Sequence, residues 1–91
     1  MFALTRFRAA ESAVPELLAD AGALLALLRQ RPGFRDGQLG RSADEPGLLA
    51  LWTSWDGVGA YRRALSAPEV KIAGAPVWVH AVDEPGAYLT D

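Results

Sequence analysis

The chain has 91 residues, 51% of them hydrophobic and 22% charged, with a formal net charge of -2. This balance fits one small folded domain and excludes both a disordered chain and a second core. Eight of the nine basic residues are arginines scattered along the chain, so no basic stripe for nucleic acid is present.

In MFALTRFRAA, the residues Phe2, Leu4 and Phe7 predict a first strand ending near Arg8. This beginning lacks the long apolar stretch of a secretory signal, so a cytoplasmic protein is expected. Val14, Leu17, Leu18, Ala21, Leu24, Leu25 and Leu28 follow at spacings of three and four, one face of an amphipathic helix. Ser12 suits its N-cap, Pro15 fits the first turn, and Pro32-Gly33 stops it. Arg29 interrupts the most apolar run after about eight residues, too short to cross a bilayer.

RPGFRDGQLGRS predicts a second strand and ADEPG a turn, since Asp, Pro and Gly favour the dihedrals of a hairpin connection. LLALWTSW, Leu48 to Trp55, is a third strand that is apolar on both faces. Asp56 suits the cap of a short second helix in DGVGAYRRAL, weakened by Gly57 and Gly59 at roughly 1 kcal/mol each. SAPEVKIAG reads as a further helical turn, with Ser66 and Glu69 at capping-box spacing. VWVHAV predicts the last strand, and DEPGAYLTD, residues 83–91, a tail.

The order is β-α-β-β-α-β in a single domain over residues 1–91, the split arrangement of ferredoxin-like α+β protomers. Two helices cover only one face of a four-stranded antiparallel sheet. The third strand places Leu48, Ala50 and Trp52 on one face, and Leu49, Leu51 and Trp55 on the other. One of these rows is left for a partner, which predicts a homodimer with its sheets face to face.

Several short pieces then appear in a telling order. Pro15-Glu16 lies in the first helix, RPGF precedes strand two and DEP precedes strand three. The W-T-S-W…AY segment and a closing EP-x-x-Y complete the series. In this order they resemble the antibiotic biosynthesis monooxygenase domains of the dimeric α/β-barrel superfamily, along nearly the whole chain. The resemblance implies a homodimeric barrel with a pocket between helices and sheet, and a tail that often reaches the partner subunit. It implies an oxidoreductase that oxygenates an aromatic, quinol- or anthrone-like molecule with O2 and no bound cofactor. It further implies that Trp55 and Tyr61 stand at pocket positions, with Leu51 where those enzymes carry an asparagine. This chain contains no asparagine.

Leu51, Thr53, Trp55 and Tyr61 are therefore the expected substrate-binding set, and Trp55, Tyr61 and His80 the expected catalytic one. Each residue also has a plainer reading. Trp55 and Tyr61 serve equally as packing between strand and helix, and His80 as a buried, hydrogen-bonded strand residue. Facing the pocket, His80 is the natural general base, since histidine is the side-chain type suited to proton transfer near neutral pH and this is the single one in the chain. One histidine and no cysteine leave no multi-histidine or thiolate metal site, and no metal or cofactor is expected. The alternative function is a barrel of the same kind that binds a small ligand without turning it over. Trp52 and Trp78 read as interface or core anchors.

Overall fold

The computed structural model describes all 91 residues. Strand β1 spans Phe2–Arg8, and a 3-10 turn, Glu11–Ala13, leads into helix α1, Val14–Leu28. Strands β2 (Phe34–Arg41) and β3 (Leu48–Trp55) form a hairpin. Helices α2 (Val58–Ser66) and α3 (Pro68–Trp78) follow, then a two-residue strand β4, Ala87–Tyr88. The sheet order is β2-β3-β1-β4, with every pairing antiparallel, as in a ferredoxin-like protomer.

The helices cover one face of this sheet. Along β3, burial alternates residue by residue: Leu49, Leu51, Thr53 and Trp55 lie beneath the helices, while Leu48, Ala50, Trp52 and Ser54 occupy the other face. Strand β1 pairs in matching register, Thr5 with Leu51 and Leu4 with Trp52, so Ala3 and Phe7 join the core. Phe2 and Leu4 stay on the uncovered side. The α1 stripe Leu17, Ala21, Leu24, Leu25 and Leu28 fills the core at the spacing read from the sequence.

Three end signals resolve differently from expectation. Ser12 falls in the 3-10 turn, and α1 starts behind Ala13 without a side-chain cap. Asp56 makes an ion pair with Arg35 at 2.6 Å instead of capping α2, whose N-cap is Gly57. Ser66 donates its hydroxyl back to the Arg62 carbonyl at 2.9 Å, so the capping box with Glu69 does not form.

The largest departure is at the last strand. VWVHAV is not one: Val77 and Trp78 end α3, Val79 and His80 turn, and Ala81 makes a single bridge to Phe7. Packing decides this against the strand preference of valine. Val70, Gly74 and Val77 follow a helical stripe and all three are buried, and α3 packs against α1. The edge strand comes instead from the segment read as a tail, with Tyr88 paired and stacked on Phe2 at 5.1 Å. No helix is long and apolar enough to cross a membrane.

Candidate functional site

Strand β3 sends Leu51, Thr53 and Trp55 toward the helices, and all three are closed off, at 4%, 3% and 1% exposure. Trp55 is held from three sides. Its indole Nε1 donates to the Thr53 hydroxyl at 2.9 Å, a bond whose loss would strand a buried donor. Phe34 meets the ring edge-on at 5.2 Å, and Tyr61 lies tilted against it at 5.8 Å. Both distances fall in the favourable range for aromatic pairs. Phe34, Trp55 and Tyr61 thus form a ladder running from the α1–β2 corner to α2.

Tyr61 is the end of this ladder that meets a groove. It is half-buried on α2 and lines a groove of about 460 Å3 with Thr5, Leu65, Trp78, Val82 and Glu84. Burial raises the Tyr61 pKa above its ordinary value of 10.0, so its phenol stays protonated at neutral pH and serves as a donor. Glu84, at the groove's rim, is gripped by Arg6 through two bonds of 2.6 and 2.9 Å. That hydrogen-bonded pairing, together with the Arg6 charge, lowers the Glu84 pKa, which makes it a weak base.

The five expected site residues do not share one cavity. Tyr61 reaches the groove; Leu51, Thr53 and Trp55 lie behind it in the core; His80 is elsewhere. His80 occupies the turn after α3, where its carbonyl accepts from the Arg8 N–H at 2.9 Å. It lines a separate cleft of about 280 Å3 with Glu16, Leu17 and Asp20 of α1. The strand placement that would have aimed it at the pocket is absent, because α3 runs on through Trp78. The same change brings Trp78 into the groove, a position that the strand reading did not suggest. Its signal in the sequence was Gly74, four residues earlier, at the spacing where a helical side chain folds back over its own helix.

No protein-family model matches the chain, and no curated protein matches it in sequence. Solved structures do match in fold. SnoaB, a cofactor-independent oxygenase from Streptomyces nogalater, aligns with a TM-score of 0.82 and 22% identity over 99% of this chain and 91% of that one. A protein from Deinococcus radiodurans, described as a "putative antibiotic biosynthesis monooxygenase", aligns at 0.79 and 18% identity over 99% and 96%. Rv0793 from Mycobacterium tuberculosis aligns at 0.76 and 26% identity over 94% and 86%. The chain is thus a ferredoxin-like α+β protomer of the class these proteins share. More narrowly, its fold is that of the antibiotic biosynthesis monooxygenase domains, and the resemblance read in the sequence is borne out at that level.

Proposed function

We propose that this chain is a cofactor-independent monooxygenase that binds a flat phenolic molecule, quinol- or anthrone-like, in the groove beside Tyr61 and works as a homodimer. The observation that carries the reading is the ladder Phe34–Trp55–Tyr61 ending at a groove of ligand size. Fold likeness to a cofactor-independent oxygenase supports the reaction type. The uncovered sheet face, with Phe2, Leu4, Ala50 and Trp52, supports the homodimer.

The chemistry follows from what the groove holds. An electron-rich substrate anion gives one electron to O2, and the resulting radical and superoxide combine into a peroxide at carbon. Loss of water then leaves a carbonyl, so a ring CH2 and O2 become C=O and H2O. Tyr61 donates to the substrate oxygen and steadies its negative charge. No strong base lines the groove, since Glu84 is tied to Arg6 and His80 lies in the other cleft. The substrate's own acidity therefore supplies the anion, which selects for polyphenols and anthrones over simple phenols.

Oxygen uptake with anthrone tests this. Accelerated uptake with one quinone formed per O2 supports it, and Tyr61→Phe should slow the reaction by about a hundredfold or more, the scale of a lost charge-stabilising donor. No acceleration over buffer across a panel of anthrones and quinols rejects it.

A second reading, ligand binding without turnover, is favoured by one observation. Leu51 stands buried behind the groove, at the position where the resembling enzymes carry an amide, so no amide donor is offered to a ligand from there. A rise in melting temperature with a quinol, with no product, would establish that reading instead.

A further inference from the structure

The groove has two aromatic walls. Tyr61 is backed by Trp55 at 5.8 Å, and Trp78, which lines the same groove, is backed by Phe7, also at 5.8 Å. Trp78 owes its position to a costly residue. Gly74 lies in the interior of α3, where glycine weakens a helix by roughly 1 kcal/mol against alanine. A methyl group added there would collide with the Trp78 indole at Nε1 and lie 2.9 Å from Cδ1 and 3.2 Å from Cε2. The indole therefore lies flat across the bare backbone of its own helix. It also packs against the ring of Phe7, tilted by 32°, and presents an edge to the groove.

We propose that Trp78 is the residue that sets the size and flatness of the ligand, and that Gly74 is present to let it do so. This inference rests on the groove being the ligand site, and it adds the determinant of which ring system fits. Tyr61 and Trp78 stand on consecutive helices as two separately buttressed walls. An aromatic ring entering the groove gains aromatic contact with both, edge-to-face at Trp78, and a bulky, non-planar molecule of equal hydrophobicity gains neither. The remaining lining residues, Thr5, Leu65 and Val82 among them, have no aromatic ring with which to replace that contact.

Two substitutions move the wall in opposite directions. Trp78→Ala removes it and widens the groove. Gly74→Ala displaces the indole from its seat, and the groove is the open space beside it. Dissociation constants would be measured for 2-naphthol, anthrone and a four-ring anthracyclinone, with a saturated ring alcohol as the non-aromatic comparison. The wild type should prefer the fused aromatics to the saturated alcohol.

Trp78→Ala should weaken the two- and three-ring ligands by about two- to tenfold, the range for one aromatic pair. It should weaken the four-ring compound less, or tighten it. Gly74→Ala should penalise the largest ligand most, and Trp78→Phe should restore part of the ring preference. Trp78→Phe and Gly74→Ala keep the test available where Trp78→Ala does not fold, as judged by circular dichroism. Wild-type binding with an unchanged size ranking in the folded variants would overturn the role of Trp78 alone. Failure of the wild type to bind any of the panel would overturn the groove as ligand site, and this inference with it.

Discussion

The two faces of the sheet are made from alternate residues of the same strands, and they have opposite fates. On one side Phe7, Leu49, Leu51 and Trp55 are sealed beneath three helices. On the other, Phe2, Leu4, Ala50 and Trp52 are only half-buried, sheltered by one another and by the stacked ring of Tyr88. Composition hardly separates the two rows. What separates them is the supply of helices, because α1, α2 and α3 all pack on the same side. An apolar row therefore marks either the inside of a protomer or a surface awaiting cover, and topology decides between them.

The comparison can be broken most forcefully at its two tryptophans. Trp55→Ala should cost about 3–5 kcal/mol in chemical denaturation, because it empties a ring-sized space between Phe34 and Tyr61. Trp52→Ala in dilute protein should cost clearly less; equal losses would mean that the open face is as much a core as the covered one.

Trp52→Glu asks what covers that face. A carboxylate at the centre of a face-to-face dimer should weaken association by about a hundredfold or more, read as a shift to protomer in sedimentation at micromolar concentration. Unchanged sedimentation would place any dimer contact elsewhere.

Thr53→Val tests the covered face more gently. It preserves shape but removes the acceptor of the Trp55 indole N–H, which should cost about 1–3 kcal/mol.

The smallest effect lies at the edge, where Glu84 and Arg6 are both exposed. The folded pKa of Glu84 is lowered, so the pair contributes above the unfolded carboxylate value of 4.5. That contribution is lost as pH falls through the lowered value. The stability difference between the wild type and Glu84→Gln should thus be small at pH 6 and fade on acidification. A difference that grows in acid would mean that the sign is wrong.

Elements governed by local periodicity were legible in the sequence. The α1 leucines appear at helical spacing, and LLALWTSW alternates between faces as its strand position requires. The split of Leu51, Thr53 and Trp55 from Trp52 and Ser54 follows from that alternation alone. The last third was harder to read, since VWVHAV carries β-branched residues while its burial partners, Val70 and Gly74, lie upstream in α3. A two-residue edge strand such as Ala87–Tyr88 is defined by pairing with β1, and its own residues hold no signal of that length. Of the site, Trp55 and Tyr61 were marked out by the family resemblance, and their ring contact is a finding of the structure. The separation of His80 from Tyr61 was not legible, because it depends on where α3 ends.

One corner of the molecule governs more than its size suggests. Gly33, with φ at +87°, presses on Ala60: a methyl group on it would lie 2.5 Å from the Ala60 Cβ. Its carbonyl also accepts from the Asp56 N–H at 2.8 Å, so the RPGF corner is bolted to the root of α2. Tyr61 is the very next residue along that helix. An engineer wishing to move the Tyr61 wall of the groove could therefore turn it like a screw from behind, by altering a bend some twenty-eight residues upstream.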